Sequence, residues 1–493
     1  MMKFMKSKLF SFLICILLIP LLFSVAKSGY GYQFDTDELH HANLVYLLYH
    51  GQIPYRDIYN SFYTPLFEWT LLPVFALFGF SFKTIEFTRF IMIVFYAIRV
   101  GSLYVLIRTL WNKRAALLFI PLLVFDPFAV LSSFQIRTDN FMLMLYSIGL
   151  AFLAVGVVKQ KTRVINAGMC ALGLAALSFP KIVPSVAIIS AFVLFVQYKK
   201  SGVKGVGISI GSAATPIMLF ALYGVLTGGF SEMVTQLILE AKTAYSVFRA
   251  PLPFGAVFYP NNIWIYGTMG KPATWIYIWV LPLLGAGGLF SFLQACAHKK
   301  TLQRQDIFSL MLALTLIVNF ISLFTLPVVF IQHYLLINWL YALFAAVMID
   351  ELLQSLETKP WIHTSLSIVL ICIYAYMVNV SFTYNIARGT IHGQETIDAF
   401  QKRLAQIEPT ESVFPNYLFR PPVYPVPFGY YIGNVPEPIL NRLPDIPNML
   451  ETKKIQKLLF DEYTFSLMPE RIRTYVTDHY YRVAGDPELM VRK

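Results

Sequence analysis

Three carboxylates lie close together near the start of the chain, in the run Phe34-Asp-Thr-Asp-Glu-Leu-His-His-Ala42: Asp35, Asp37 and Glu38. They follow the first strongly apolar segment of a chain in which 57% of the residues are hydrophobic. Because charged side chains are costly inside a bilayer, acids concentrated at the end of an apolar segment indicate a function. We therefore expect the chemistry of the protein at this acidic cluster.

Local structure accounts for two of the three acids. Asp35 and Glu38 have the three-residue spacing of a capping box at a helix start, and the helix that they predict ends at Gly51. Its predicted apolar side consists of Leu39, Ala42, Val45, Tyr46 and Tyr49. The capping box does not account for Asp37. Beside the first amides of the helix its carboxylate stays ionised and can accept a proton from a bound hydroxyl. The alternative is a solvated acidic surface.

The composition is that of a polytopic membrane protein. The chain has 493 residues, of which 13% are charged, and its mean hydropathy is +0.60, values foreign to water-soluble enzymes. The net charge of +12 comes from short basic clusters between apolar runs, which is the positive-inside pattern and predicts no nucleic-acid partner. The 4 cysteines show no Cys-x-x-Cys spacing, so neither disulfides nor a thiolate metal site is indicated.

The basic clusters also predict a topology, because each should mark a cytoplasmic turn. We expect an all-α membrane domain, residues 1–384, with about eleven spans of a length that crosses a bilayer. The predicted spans are residues 9–26, 90–109, 115–133, 140–158, 164–180, 182–198, 205–227, 273–296, 307–327, 334–353 and 362–384. With the first span as a retained anchor, the N-terminus is cytoplasmic, and the acidic cluster and the C-terminus lie outside the plasma (inner) membrane.

Two loops stand out in this topology. The first extracytoplasmic loop, residues 30–89, contains the short apolar segment Leu66 to Phe80, which we interpret as an interfacial helix. The alternative is a further span, which would shift every later assignment. The long extracytoplasmic loop, residues 228–271, is either a mobile cover over a site or a packed linker.

After Tyr384 the sequence becomes rich in charge and proline, which predicts a small extracytoplasmic α/β domain over residues 385–493. Its expected elements are a helix over 395–407, a strand at 413–415, and helices near 451–459 and 469–479.

Further polar candidates lie at the predicted extracytoplasmic ends of spans. Arg137 and Lys181 either bind a phosphate group or anchor their helices at the interface. Asp139 contributes to the same site or caps its helix. His333 and Tyr334 offer hydrogen bonds to a polar ligand, and the alternative is a structural role.

The first loop adds a basic and an aromatic candidate. Arg56 either pairs with Asp57 or points at the site. Tyr55 stands with Tyr59 and Tyr63 in an aromatic group that suits sugar rings, and the alternative is an ordinary interface belt.

No cofactor follows from the sequence with certainty. Asp35 and Asp37 leave a divalent cation open, but two acids without a third ligand nearby are a weak metal signal. The sequence also has no nucleotide-phosphate loop.

Several of these motifs resemble the GT-C glycosyltransferases, in particular the group of protein O-mannosyltransferases and lipid A aminoarabinose transferases (family 39 type). In the first loop they are Asp37-Glu38, Gly51-Gln-Ile-Pro-Tyr-Arg-Asp57, Tyr63-Thr-Pro-Leu-Phe-Glu-Trp69 and Phe78-Gly79. Further similar motifs are Arg137-x-Asp139, Lys181, His333-Tyr334, Asp461-Glu-Tyr463 and Tyr480-Tyr-Arg482. Asp35 and Thr64, where a second proline is more usual, depart from the pattern.

The resemblance implies an inverting transfer of a sugar from a polyprenyl-phosphate carrier to a protein, lipid or glycan acceptor on the outer face. The aspartate of the Asp-Glu pair is the expected base in such families, and Asp37 holds that position here. Asp35 is left as a rival base or a metal ligand.

A lipid or solute transporter, or flippase, is the alternative function, because scattered intramembrane charges and alternating helices suit it as well. The hydropathy shows no paired half-repeat, and the charged candidates gather at one face instead of extending to the midplane of the bilayer.

Overall fold

The computed structural model describes residues 23, 26–27, 29–30, 34, 36–59, 64–124, 132–240, 272–324, 331–359, 361–362, 364–366, 368–370, 372, 398, 401–425, 444–460, 462–466 and 468–493. Two compact units divide the chain. The first comprises Met1–Gln33, Arg89–Met218 and Ala250–Gly393, and the second Phe34–Thr88, Leu219–Arg249 and Gln394–Lys493.

Helices make up most of the described chain. The α-helices are α1 Thr36–Tyr49, α2 Leu66–Phe78, α3 Phe82–Leu110, α4 Lys113–Leu123, α5 Thr138–Val158, α6 Thr162–Ser178, α7 Val183–Leu226, α8 Phe230–Val234, α9 Pro272–Ala297, α10 Arg304–Leu323, α11 Asn338–Ser355, α12 Ile446–Thr452, α13 Glu462–Ser466 and α14 Glu470–His479. Short 3-10 helices cover Pro180–Ile182 and Ile331–Leu336, and a π-helix covers Thr235–Glu240. The strands are β1 Val413–Phe414, β2 Lys457–Leu459, β3 Tyr480–Val483 and β4 Asp486–Arg492.

The membrane character of the chain is confirmed by helices of sufficient length and hydropathy. Among the described residues five helical segments meet both requirements: Phe82–Leu110, Thr138–Val158, Pro180–Leu226, Trp279–Ala297 and Arg304–Leu323. Most of the predicted first span lies outside the described residues, as does most of the last. The 13 residues of α2 extend about 20 Å, which is less than the roughly 30 Å of a bilayer core. This length is compatible with an interfacial helix, and the interfacial interpretation stays a prediction.

Helix α7 is two helices in one continuous segment. Its 44 residues would extend about 66 Å if straight, roughly twice the bilayer core. Gly202 interrupts it with φ 61° and ψ −155°, a conformation that glycine adopts readily. The Gln197 amide donates to Ser209 Oγ, 3.3 Å away, although 12 residues of straight helix would separate them by about 18 Å. The chain therefore reverses at Gly202, between the predicted spans 182–198 and 205–227.

The predicted cytoplasmic turns of the first unit meet in pairs. Lys200 Nζ donates to the hydroxyl of Thr162, 3.0 Å away, and to the carbonyl of Gln160, which joins the turn after α5 to the turn at Gly202. Gln305 at the start of α10 donates to the carbonyl of Thr109 near the end of α3, 3.2 Å away. These contacts bring together two pairs of the predicted turns.

Close helix packing in the first unit depends on glycine. A Cβ atom at Gly288 of α9 would lie 2.1 Å from the carbonyl oxygen of Phe344 in α11, and one at Gly168 of α6 would lie 3.0 Å from the carbonyl of Gly149 in α5. Small residues that let backbones approach are the usual means of association between membrane helices, because lipid supplies no hydrophobic driving force between them.

Asp350 organises a polar cluster near the end of α11. It is 2% exposed, pairs with Arg114, and accepts a hydrogen bond from Asn112 Nδ2 at 2.6 Å. Asn112 in turn caps α4, since its side chain accepts from the Ala115 amide. One carboxylate thus holds the start of α4 against α11.

We expect Asp350→Leu to lower the free energy of unfolding by about 3 kcal/mol, because it leaves the buried side of Arg114 unpaired. The matched control is Glu357→Gln, which removes the more exposed partner of the same arginine and should cost less than about 1 kcal/mol. Thermal unfolding of the purified proteins in detergent measures both. Equal losses in the two variants would contradict the organising role of Asp350.

In the second unit, α1 packs against α2 through the predicted apolar face. Leu39, Ala42, Val45 and Tyr46 are buried, and the helix ends before Gly51, whose φ is 79°, as predicted. Tyr49 was wrongly assigned to this face, because its side chain is 52% exposed. It lies in the last turn of the helix, where its ring contacts His50 and Phe80 at the surface.

The C-terminal part of this unit contains a four-stranded sheet in the order β1-β2-β4-β3. β1 pairs parallel to β2, and β4 pairs antiparallel to both β2 and β3. The predicted strand at 413 and helix at 470–479 are present. The helix near 451–459 was wrong beyond Thr452, because residues 457–459 pair with β4 as strand β2. This pairing is made with residues about thirty positions away, and local propensity does not reveal it.

Candidate functional site

Arg137, Asp139 and Lys181 form an ionic cluster in the first unit. Arg137 immediately precedes α5, Asp139 lies in its first turn, and Lys181 lies in the 3-10 helix that joins α6 to α7. Arg137 Nε is 3.5 Å from Asp139 Oδ2, and Lys181 Nζ pairs with Asp139 Oδ1. The structure thus joins three residues that the sequence placed at separate ends of spans.

The local sequence fixes this cluster. The side-chain amide of Asn140 donates to the carbonyls of Ser132, 3.0 Å away, and of Gln135, 2.7 Å away, which ties down the turn that presents Arg137. Lys181 follows Pro180 and lies 5.0 Å from the centre of the Phe179 ring. The three charged side chains are therefore held by short elements and not by a long loop.

The charges of the cluster do not cancel. Two cationic side chains face one carboxylate, and the side chains of Arg137, Asp139 and Lys181 are only 11%, 7% and 13% exposed. Little water screens the excess positive charge, which makes the location attractive to an anion. Asp139 supplies the countercharge to both cations.

His333 is electrostatically linked to this cluster. It lies in the 3-10 helix Ile331–Leu336 that follows α10, and burial together with the positive charges of Lys181 and Arg137 lowers the pKa of its imidazole to about 3. His333 is therefore neutral at physiological pH and offers a hydrogen-bonding nitrogen and not a charge. Tyr334 follows it in the same helix.

The depressed pKa of His333 makes stability pH-dependent. The unfolded chain binds a proton near pH 6.5 and the folded protein does so only near pH 3, so the unfolded state holds more protons in between and stability falls as the pH drops. We expect His333→Gln to reduce this acid sensitivity by up to about 1.4 kcal/mol per pH unit below pH 6. Melting temperatures from pH 4.5 to 7.5 test it. If the melting temperatures of the variant and the parent changed equally with pH, this role of His333 would be contradicted.

Two buried polar side chains that the sequence analysis missed hold the segment of His333. Arg99 of α3 donates from Nη2 to the carbonyl of Leu335, 3.1 Å away, and Asn319 of α10 donates to the carbonyl of Leu336, 3.4 Å away. Ser185 Oγ in turn donates to Asn319 Oδ1 at 2.7 Å. The available signal was an arginine in the middle of an apolar helix, a position where charge is rare without a partner.

The acidic cluster belongs to the second unit. Asp37 is in the first turn of α1 and exposed, whereas Glu38 is fully buried. Asp35 and its predicted capping box lie outside the described residues. No group of three or more potential metal ligands is found in the described part of the chain, so the proposed cation stays a prediction.

The sequence analysis also missed a buried pair of polar side chains in the second unit. Nδ1 of His41 lies 2.6 Å from Oε1 of Glu68, and the side chains are 7% and 0% exposed. His41 is one helical turn after Asp37, and Glu68 belongs to α2, so the pair joins the two helices. The residue types gave a signal, since a glutamate inside the apolar segment 66–80 needs a partner.

The remaining candidates of the first loop contact neighbours within the second unit. Arg56 forms two hydrogen bonds of 2.9 Å to Asp57, whose Oδ2 also accepts from the Ile53 amide. Tyr55 is 3% exposed, has φ 67°, and its ring lies 6.2 Å from that of Phe220. The donor and substrate contacts expected of Arg56 and Tyr55 stay predictions.

Comparison with known proteins identifies the fold. The family model described as dolichyl-phosphate-mannose-protein mannosyltransferase matches residues 63–223. ArnT from Cupriavidus metallidurans in the apo state matches with a TM-score of 0.61 and 12% identity over 99% of this chain and 98% of that chain. Its structure bound to undecaprenyl phosphate gives 0.60 and 14% identity over 98% and 97%.

A more distant match is the oligosaccharyltransferase of Archaeoglobus fulgidus, with a TM-score of 0.52 and 12% identity over 93% of this chain and 71% of that chain. No curated protein sequence matches the chain. The chain therefore has the fold of ArnT and of this oligosaccharyltransferase, and the resemblance stated from the sequence is confirmed at the level of the fold.

Proposed function

We propose that this chain, which has the fold of the GT-C glycosyltransferases, transfers a sugar from a polyprenyl-phosphate donor to an acceptor hydroxyl at the extracytoplasmic face of the plasma (inner) membrane. The observation that carries the proposal is the cluster of Arg137, Asp139 and Lys181, a buried site with excess positive charge in a membrane-embedded helical unit. ArnT, which matches over nearly its whole length, has been crystallised with undecaprenyl phosphate.

The charge of the cluster suits the leaving group. A lipid-linked sugar phosphate is a phosphodiester with one negative charge, and loss of the sugar converts it to a monoester that carries up to two. Arg137 and Lys181 would therefore bind the departing phosphate more strongly than the bound donor, which is the differential stabilisation that accelerates a reaction. His333 and Tyr334 would add uncharged hydrogen bonds. Arg56 is the third donor-phosphate candidate.

Asp37 is the proposed base. Its carboxylate is exposed and lies beside the first amides of α1, which favours the ionised form. In the proposed step the acceptor oxygen forms a bond to the anomeric carbon, the bond between that carbon and the phosphate oxygen breaks, and the hydroxyl proton passes to Asp37. Attack opposite to the leaving group inverts the anomeric configuration.

The proposal includes the predicted topology. The N-terminus is cytoplasmic, about eleven helices span the bilayer, and the C-terminal α/β domain and Asp37 are extracytoplasmic. The Asp37→Cys variant should then react with a membrane-impermeant maleimide in intact cells. Labelling only after permeabilisation would contradict both the topology and the proposed base.

The direct test is reconstitution of the full chain in proteoliposomes with undecaprenyl-phosphate-linked hexoses, pentoses and aminopentoses. We expect release of undecaprenyl phosphate that depends on an added acceptor fraction of cell-envelope lipid, glycan or protein. Movement of the intact labelled lipid across the bilayer without cleavage of the sugar-phosphate bond would instead establish the transporter alternative, which the fold does not favour.

A further inference from the structure

The helix that carries Asp37 is attached to the C-terminal part of its unit by one buried hydrogen bond. Asn43 Oδ1 in α1 accepts the backbone amide of Phe419 at 3.2 Å. Asn43 is 1% and Phe419 7% exposed. The two residues are 376 positions apart in the chain, so the bond joins the first loop to the tail.

Phe419 reaches α1 through an uncommon backbone conformation. Its φ is 56°, which lies in the left-handed region that bulky residues seldom adopt. Its ring lies 6.0 Å from that of Tyr46, 6.3 Å from Phe75 and 5.6 Å from Phe80. One residue of the tail therefore supplies both the amide for Asn43 and a ring that contacts α1 and α2.

The loop that presents Phe419 is held by its own hydrogen bonds. Asn416 Oδ1 accepts the amides of Val423 and Tyr424 at 2.8 and 3.1 Å, and its Nδ2 donates to the Tyr424 carbonyl at 2.6 Å. Arg420 donates to the carbonyls of Leu404 and Ile407 at 2.8 and 2.7 Å. We call residues 416–424 the clasp loop.

A second attachment follows directly. The amide of Tyr59 in the first loop donates to the carbonyl of Pro425 at 2.7 Å, and the Tyr59 ring belongs to the same apolar core as Phe414 and Tyr424. The clasp loop and Pro425, which follows it directly, thus hold the first loop at two points.

Asn43 is not the residue that packing alone would select. Its Nδ2 is buried without a hydrogen-bond partner in the described residues, and an unsatisfied buried donor is costly. A leucine would fill similar space without that cost. A polar residue kept at such a position suggests that the bond to Phe419 serves geometry more than stability.

We propose that Asn43 and Phe419 are positioning residues for Asp37: the clasp loop fixes the axial and rotational setting of α1 and thereby the direction of the Asp37 carboxylate, which precedes Asn43 by less than two helical turns. This inference rests on the proposed role of Asp37 as the base. It assigns the tail a part in the reaction, as a support for the helix of the base and not as a separate catalytic domain.

The test uses the full chain in lipid nanodiscs with the variants Asn43→Leu and Phe419→Gly. Phe419→Gly removes the ring but keeps the amide and tolerates φ 56°. Since a base displaced by an ångström can cost about a hundredfold, we expect kcat to fall ten- to a hundredfold in each variant, with the donor KM within a factor of two. Because the hydrogen bond and the ring contacts both attach α1 to residue 419, the double variant should lose much less than the product of the single losses.

The control is Tyr481→Ala, which truncates an exposed aromatic side chain on β3 and should leave kcat unchanged. Hydrogen exchange of the α1 amides is measured without donor. We expect faster exchange over residues 38–42 in both clasp variants and unchanged exchange in the control.

Unchanged α1 exchange in Asn43→Leu would overturn the positioning role whether or not sugar transfer occurs. A kcat that falls only in proportion to lost folded protein would do the same. Absence of transfer by the parent protein with every donor, together with faster α1 exchange in the variants, would refute the proposed function and leave the clasp intact.

Discussion

Asp37→Asn is expected to reduce the rate of sugar transfer by about 10²–10⁴-fold, the usual contribution of a positioned general base. The substitution keeps the size of the side chain and its hydrogen-bonding oxygen but removes the basic carboxylate. Since Asp37 is exposed, its loss should leave folding intact. Transfer in proteoliposomes under donor saturation measures the effect.

The kinetic signature separates a base from a binding group. If Asp37 acts only when the acceptor proton is transferred, kcat and kcat/KM should fall together while the dissociation constant for undecaprenyl phosphate stays the same. Glu232→Gln is the matched control, since Glu232 is another exposed acid of the same unit and should keep full activity.

The same experiment decides between Asp37 and its neighbours. Glu38 is fully buried, so Glu38→Gln should lower stability more than turnover. Asp35→Asn tests the rival base directly. Full activity in Asp37→Asn together with a loss in Asp35→Asn would transfer the role to Asp35, and full activity in both would remove the acidic cluster from the mechanism.

Hydropathy and charge predicted the helical framework because bilayer thickness dictates span length and basic residues dictate turns. The reversal at Gly202 shows this well: a cluster of three lysines between two apolar runs predicted a turn, and the contact between Gln197 and Ser209 confirms it. The same basic clusters placed both Arg137 and Lys181 at extracytoplasmic ends of predicted spans.

Pairs made by residues far apart in the chain could not be predicted. Arg99, Asn319 and the pair of His41 with Glu68 each depend on which helix faces become neighbours, and hydropathy does not specify helix rotation. Strand β2 was missed for a related reason, since its partner β4 lies about thirty residues later and strand formation depends on that partner. The hydrogen bond between Asn43 and Phe419 joins the residues farthest apart among these pairs, 376 positions.

Lys181→Met is the second change with a large expected effect. It removes one of the two cations that would meet the leaving phosphate, and loss of one such group in a preorganised site costs about 10²–10³ in kcat. Donor affinity should fall less than kcat, because the monoester product carries more charge than the bound diester. Transfer rates and undecaprenyl phosphate binding, measured on the same preparations, give both quantities.

Lys204→Met is the control, because Lys204 is an exposed lysine beside the turn at Gly202 and outside the cluster. It should alter neither rate nor affinity. Lys181→Arg should retain part of the activity, since the positive charge persists with a different geometry. Equal losses in the methionine and arginine variants would show that shape and not charge explains the effect, and the phosphate role would then fail.

Asp139→Asn should have opposite effects on the melting temperature without ligand and on its increase with the lipid phosphate, a result that a change in packing alone would not produce. The Asp139 carboxylate pairs with Arg137 and Lys181, so an incoming phosphate would compete with it for the same cations. Asp139→Asn should therefore lower the melting temperature without ligand, because two buried cations lose their counterion. Undecaprenyl phosphate should then raise the melting temperature more in this variant than in the parent, since the phosphate replaces the missing charge. If the lipid phosphate stabilised the parent more, the two cations would not be its binding site.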